Sequence, residues 1–461
     1  MVAVKPCWMP SSMSLLSRSF LHTLPTQPAH PCSSAWEVPC RRSTPQDVPD
    51  TNSHMECAWR PVLRGRWRPA PSSRACLTFF VSLEWHSFRQ LPSESSYESP
   101  FRPRAIGMKI AQIAPLYESV PPQLYGGTER VVAYLSDALI ELGHEVTLFA
   151  AGNSRTKARL IAVRDQAIRL DTAPFKSDLA AHLAMLYEVK RRAAQFEVLH
   201  FHVDMLHFPV FEQYAPKCVT TLHGRLDMKD LPLVYERWPS FGLVSISNHQ
   251  RRPLPNVNWL ATVAHGIPAG PQAFHRGDRT YLAFLGRLSP EKGPEVAVRL
   301  AIRAGVPLKI AAKVDNVDRA YFEMVMKPLL DHPLIEFVGE IDDKQKADFL
   351  GNARALLFPI AWPEPFGLVM IEAMACGTPV IAYDCGAVPE VLQPGLTGFI
   401  VNSDEQAVAA IGRVSQLDRR AVRAAFEERF TAHHMARRYL RVYSDLLDSQ
   451  RAVARLVVHN R

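Results

Sequence analysis

Two carboxylates eight positions apart raise the first chemical question. In AWPEPFGLVMIEAMACGTP, residues 361–379, Glu364 stands between two prolines just ahead of a Phe-Gly, and Glu372 is embedded among Leu, Val, Met, Ile, Ala and Cys. The run from 368 to 376 is apolar on nearly every side, which predicts a buried helix beginning near Gly367 and ended by Gly377 and Pro379. An ionised carboxylate there is costly unless donors satisfy it; sugar or ribose hydroxyls, backbone amides or a structural Arg would all serve. Glu364 falls on the preceding loop, beside the amides of Phe366, Gly367 and Leu368, and the positive end of the helix favours a phosphate there. Hydroxyl acceptors flanking an anion-binding helix start suit a sugar nucleotide. A pair of carboxyls also invites a glycosidase reading, one acting as acid and the other as nucleophile or base.

Two further loops bear on that choice. FLGRLSPEKGPE places Arg287 and Lys292 five apart between Gly286 and Gly293, so a guanidinium fork and an ammonium point charge could meet one diphosphate, for which a glycosidase has no use. Gly126 and Gly127 precede the helix start Thr128-Glu129 and give a flexible backbone at a helix N-terminus, although alone they read more readily as a plain turn. HFHVDMLH offers His200, His202, Asp204 and His207 as metal ligands; with no third convergent ligand set, solvated or helix-capping histidines are expected and no metal.

The elements that must position these loops alternate. From Met108 the chain runs MKIAQIA, a helix from about 128 to 142 stopped by Gly143, then EVTLFAA, a strand-helix-strand unit of the kind that builds parallel sheets. Strands continue at 198–202, 218–223, 242–247 and 259–266, up to the Pro/Gly-containing connection IPAGPQAFHRGD at 267–278. A second series follows in YLAFLGRL, PLKIAA, LIEFVGE, ARALLFP, TPVIAYD and TGFIVN, and the tail from Asp404 to about Gln450 is helical by period, with Ser403 and Gln406 resembling a capping box. The expectation is an α/β protein of two doubly wound Rossmann-like domains facing a central cleft, at 108–270 and 271–430, followed by C-terminal helices at 431–461. Ligands then sit at the carboxyl ends of the strands. The loop after the first strand, ESVPPQLYGGTER, lacks the three-glycine fingerprint of a dinucleotide dehydrogenase.

Charge and cysteines narrow the partners. The net charge is +8, but +5 of it lies in residues 1–107, leaving +3 for the other 354 residues, too little to imply nucleic acid. That first segment, rich in Pro and Ser and without period, is expected to be a disordered extension or a mis-assigned start, with a transit peptide as the minority reading. Beyond it only Cys218, Cys376 and Cys385 remain, without zinc spacing, which suggests a reducing, cytoplasmic setting. No run of 18 apolar residues could cross a membrane.

With these pieces in order, EPFGLVMIEAMACGTPVIA resembles the paired-glutamate signature of glycosyltransferase family 4, retaining enzymes of the GT-B fold. The likeness spans 108 to about 445, through the GGTE loop, TLHG (221–224), LGRLSPEKG (285–293), FVGE (337–340) and CGAVPEVL (385–392). It implies that Glu364 holds hydroxyls of the transferred hexose, Glu372 the ribose, and Arg287 and Lys292 the diphosphate. It also implies that Gly127 lets an amide approach the distal phosphate, that His223 lies near the reacting carbon, and that Val338 and Gly339 contact the base. No metal or other cofactor is implied. The partners expected are a UDP- or GDP-sugar and an unknown sugar, lipid or small-molecule acceptor, with contact at the inner face of a membrane as an option; oligomeric state is left open. The chain departs from the family in having His265-Gly266 for a common Asn-Gly, and Cys385 before a single Gly386 where Gly-Gly is frequent. A sugar-nucleotide epimerase or hydrolase, or a non-catalytic sugar-nucleotide sensor, stays open.

Overall fold

The computed structural model describes residues 107–270 and 279–459, so the expectation for residues 1–106 and most of the connection after Gly270 lie outside the described residues. The first sheet contains β1 (Lys109–Ile113), β2 (Glu145–Ala150), β3 (Arg159–Ala162), β4 (Val198–Phe201), β5 (Cys218–Thr221), β6 (Gly242–Ser245) and β7 (Trp259–Thr262), ordered β3-β2-β1-β4-β5-β6-β7. The second contains β8 (Leu282–Arg287), β9 (Leu308–Lys313), β10 (Ile335–Gly339), β11 (Ala355–Phe358), β12 (Val380–Tyr383) and β13 (Gly398–Val401), ordered β10-β9-β8-β11-β12-β13. All of these strand pairs are parallel. Strand order reverses between β1 and β4 and again between β8 and β11, and at such switch points a crevice opens beyond the strand ends. The loops after those four strands carry most of the residues singled out above.

Central strands such as β4, β5, β6 and β11 are buried along their whole length, because helices cover both faces of a parallel sheet. β3 was not anticipated. Its RLIA is short, lies at the sheet edge and is only partly buried, so it lacks the apolar run that marks the others.

After the second sheet the helix Ala432–His459 leaves it and packs on the first. Met435, Ala436, Tyr439, Tyr443 and Leu447 recur at helical spacing and share one core with Val131, Leu135 and Leu139 of the helix Gly127–Glu141. At the crossover the Ile267 amide donates to Phe430 O (3.0 Å) and the Ala432 amide to Ile267 O (2.8 Å), so the outgoing linker and the returning helix run side by side. The two halves also clasp elsewhere. Glu390 accepts from the amides of Asn248 and His249 at 2.7 Å each, and Arg130 pairs with Asp343.

Candidate active site

Between the carboxyl ends of the two sheets lies a cleft of about 520 Å³. Gly126, Gly127, His223, Arg287, Lys292, Glu364, Phe366, Gly367, Leu368 and Glu372 all line it. Val338 and Gly339 do not; β10 stops at Gly339, and the next two residues, Glu340 and Ile341, supply that part of the wall.

Glu364 is seated from below. Gly386 takes φ 63°, and a Cβ on it would lie 2.3 Å from Glu364 N, so only glycine lets the 385–387 turn slide under the Glu364 loop. The Ala387 amide then donates to Glu364 O at 2.9 Å. This one glycine is sufficient for the contact, although Gly-Gly is frequent in the family. The Glu364 carboxylate accepts on Oε2 from Lys292 Nζ (2.5 Å) and from Trp362 Nε1 (2.8 Å). Lys292 lies 4.8 Å from the Trp362 ring centre, and Arg225 approaches the same ring at 5.1 Å from the first-sheet side. Trp362 was missed by sequence reasoning, although it is the sole tryptophan after residue 260.

Arg287 is held more tightly than its motif suggested. Glu291 pairs with it, and Asp318 and Asp315 stand 3.5 and 3.7 Å away, so an incoming diphosphate must compete with three carboxylates for this guanidinium. Asp315 and Asp318, in KVDNVD just after β9, were not foreseen. They become visible only when β9 is known to lie beside β8.

Glu372 finds its buried donor in Lys346 of the helix Asp343–Gly351, at 2.8 Å. Lys346 also reaches Asp343 at 3.2 Å, and Asp343 holds Arg130 across the cleft. Burial works against the Lys346 charge, but Glu372 and Asp343 together outweigh it and hold the ammonium above its ordinary range. The starts of the helices Gly127–Glu141 and Leu368–Ala375 both line this cleft, and a Cβ built on Gly127 would sit 3.6 Å from Leu368 Cδ1. Each start carries unpaired amides and the positive end of its helix, which makes this part of the cleft an anion site.

The histidines expected to be solvated or capping are instead buried, and the structure corrects that reading. His200 and His207 are fully enclosed and His202 nearly so. Among the described residues no three His, Cys, Asp or Glu are arranged to hold a metal ion. His207 stacks on Phe201 (centroids 3.7 Å apart), while His200 and His202 belong to a hydrogen-bonded chain. His202 Nε2 donates to Gln112 Oε1 (2.8 Å), so in the neutral ring His202 Nδ1 is the acceptor and His223 Nε2–H donates to it (2.9 Å). Gln112 Nε2 donates onward to Tyr443 OH (3.4 Å), and Tyr443 OH donates to His200 Nδ1 (2.7 Å). His200 Nε2 donates to Thr221 Oγ1 (2.7 Å), which lies 2.8 Å from Tyr439 OH. The returning helix thereby fixes the tautomer of His223, leaving Nδ1 as its remaining acceptor. Burial pushes His223 down to about 3, and pushes His200 and His202 well below the ordinary range, so all three stay neutral at physiological pH. His223 also stacks on His265 (5.2 Å), the residue that replaces the common Asn, and His265 meets Phe366 edge-on (5.0 Å).

The cleft thus combines paired carboxylates, basic residues and two helix starts, an arrangement fitted to a sugar joined to a diphosphate. Comparison with known proteins agrees. Residues 125–265 match the model of Glycosyltransferase Family 4 and residues 271–429 that of Glycosyl transferases group 1, together well over half the chain. The phosphatidyl-myo-inositol mannosyltransferase of Mycolicibacterium smegmatis is 27% identical over 354 residues, covering 70% of this chain and 88% of that protein. Among solved structures, AviGT4, a glycosyltransferase involved in avilamycin A biosynthesis, superposes with a TM-score of 0.56 at 23% identity, over 74% of this chain and 98% of that one. Anabaena HepE in complex with UDP and glucose superposes with a TM-score of 0.55 at 16% identity, over 73% and 100%. With the two parallel sheets of the GT-B fold and both family models matched in order, the chain belongs to the group 1, family 4 glycosyltransferases and is an enzyme of that class.

Proposed function

We propose that the protein is a retaining hexosyltransferase that takes its sugar from a UDP- or GDP-hexose. The observation that carries this is that two carboxylate-ammonium pairs, Glu364–Lys292 and Glu372–Lys346, line one cleft together with the helix starts at Gly127 and Leu368. The diphosphate lies against the helix starts. Ribose hydroxyls reach Glu372, hexose hydroxyls reach Glu364, and the base lies toward Glu340 and Ile341. As the bond between the anomeric carbon and the phosphate oxygen breaks, negative charge grows on the leaving diphosphate; an acceptor hydroxyl oxygen bonds the anomeric carbon and gives up its proton to the departing phosphate oxygen. Lys292 and Arg287, with the amides of Gly127 and Leu368, stabilise that charge.

His223 is neutral, so it serves as a hydrogen-bond acceptor through Nδ1 and not as a general acid. Retention follows from the family likeness. The acceptor binds on the first-sheet side at 108–266 and the donor on 280–430, and closure of the two halves assembles the site. The Arg130–Asp343 pair is the contact that such closure would make and break.

Among the described residues no helix is long and apolar enough to cross a membrane. The helix Asp178–Arg192 nevertheless exposes Leu179, Leu183 and Tyr187 on one face and ends in Lys190, Arg191 and Arg192, which supports contact with the surface of an anionic membrane. The mannosyltransferase relative is named for a phosphatidylinositol acceptor, and HepE binds UDP and glucose. A mannose or glucose nucleotide is therefore the first donor to try.

The test is nucleotide release from a panel of UDP-, GDP- and ADP-hexoses, with and without an acceptor mixture. Release that depends on acceptor supports transfer. Release of equal rate without acceptor supports the hydrolase or epimerase reading, and binding without release supports a sensor.

A further inference from the structure

The wall of the cleft on the first-sheet side carries chemistry of its own. We infer that the acceptor is an uncharged, polyhydroxylated molecule with an apolar flank, and that Asp204 receives one of its hydroxyls; the inference rests on the glycosyltransferase reading of the same cleft.

Every arginine on this wall is already matched. Arg169 pairs with Glu118 at 3.3 Å, Arg225 grips Asp227 with its fork (Nε to Oδ1, 2.7 Å), and Arg130 is engaged by Asp343. Asp204 is the carboxylate left over. It lies just beyond β4 and lines the cleft; His207 bonds its backbone, while its carboxylate forms no ion pair among the described residues. Its backbone takes φ 49°, a left-handed conformation that Asp and Asn adopt more readily than other non-glycine residues. The low-dielectric wall pushes its carboxyl up to about 7, the mark of an acid that lacks donors. Met205, Leu206 and Met228 line the cleft beside it.

An arriving phosphate would meet this carboxylate and would have to displace a carboxylate from an arginine. A hydroxyl instead supplies the donor that Asp204 lacks, and the methionines and Leu206 accommodate an apolar neighbour of that hydroxyl. The discrimination is built from a repulsive group as well as an attractive one.

The experiment uses the full chain with GDP-mannose and UDP-glucose as donors. Its acceptors are myo-inositol and octyl glucoside, against inositol 3-phosphate and glucose 6-phosphate. Product is read by mass spectrometry and donor binding by calorimetry with GDP and UDP. The neutral pair is expected to be glycosylated with kcat/KM at least about tenfold above the phosphorylated pair, the size of a charge-assisted hydrogen bond gained or lost. Asp204→Asn keeps the shape, and Asn tolerates the left-handed backbone as well as Asp does, so the variant folds. It is expected to lower kcat/KM for the neutral acceptors about tenfold and to leave nucleotide affinity unchanged. Equal or better use of the phosphorylated acceptors overturns the inference. So does an Asp204→Asn variant with unaltered acceptor kinetics, or failure of the neutral pair while nucleotide binds. If neither GDP nor UDP binds, the fault lies in the glycosyltransferase reading itself.

Discussion

Replacing Gly127 by Ala separates binding from folding more cleanly than any charged substitution in the cleft. Gly127 is the first residue of the helix Gly127–Glu141, and its φ is not in the left-handed range. The added Cβ would find its nearest neighbour, Leu368 Cδ1, at 3.6 Å, an ordinary contact. The unliganded fold therefore accepts the methyl, and the loss of unfolded-state freedom should stabilise it by about 0.4 to 1 kcal/mol. The same methyl stands on the cleft wall beside the Gly127 amide, against which the distal phosphate would lie. Keeping that phosphate at a distance forfeits one charge-assisted hydrogen bond, about 1.5 to 3 kcal/mol, or roughly 10- to 150-fold in donor affinity. Thermal unfolding and calorimetric titration with the nucleotide sugar measure the two effects separately. Gly126→Ala is the contrast, because its Cβ would come within 2.8 Å of Pro122 Cβ and should lower the melting temperature. Unchanged donor affinity in a stable Gly127→Ala variant would refute the placing of the phosphate.

Other consequences follow from the same geometry. His202→Leu removes the acceptor that fixes the His223 tautomer and should lower kcat about tenfold with little change in donor KM, while His202→Gln restores an acceptor oxygen and most of the rate; steady-state kinetics distinguish this from general damage, which would spare neither variant. Stability should fall steeply in acid. His200, His202, His207, His223 and His265 are all held neutral by burial, with folded pKa values below the unfolded 6.5, so the unfolded chain binds more protons as pH drops through 6.5. Their contribution is complete above that pH and is lost toward 3, each histidine removing up to about 1.4 kcal/mol per pH unit. Asp204 and Glu129, each raised to about 7, act oppositely between about 4 and 7, since the folded state keeps protons that the unfolded state releases; melting temperature against pH reads the balance. Gly386→Ala forces the turn away from the Glu364 backbone and should cost about 100-fold in kcat, the scale of a 1 Å misplacement, together with a lower melting temperature.

Much of this architecture was legible because parallel strands announce themselves. Strands such as ALLF and GLVS are apolar runs bounded by turn residues, and the Glu364 and Glu372 loop and helix stand in local sequence order. What stayed hidden depends on neighbours remote in sequence. Asp315 and Asp318 reach Arg287 because β9 lies beside β8, and Lys346 reaches Glu372 from a separate helix. His200 and His202 read as polar and therefore solvated. They are buried because the returning helix, more than 230 residues later in the chain, brings Tyr439 and Tyr443 over them. Val338 and Gly339 end β10 just before Glu340 and Ile341, which line the cleft, a detail that periodicity does not encode.

The central claim is that the Glu364–Lys292 pair grips a nucleotide sugar and drives loss of its diphosphate. Its most direct measurement is the rate of acceptor-dependent nucleotide release by the native chain, by Glu364→Gln and by Lys292→Ala, each at saturating donor. Losses of about 100-fold or more in both variants, in protein that melts normally, are the expected result. Undiminished release in either variant would contradict the claim.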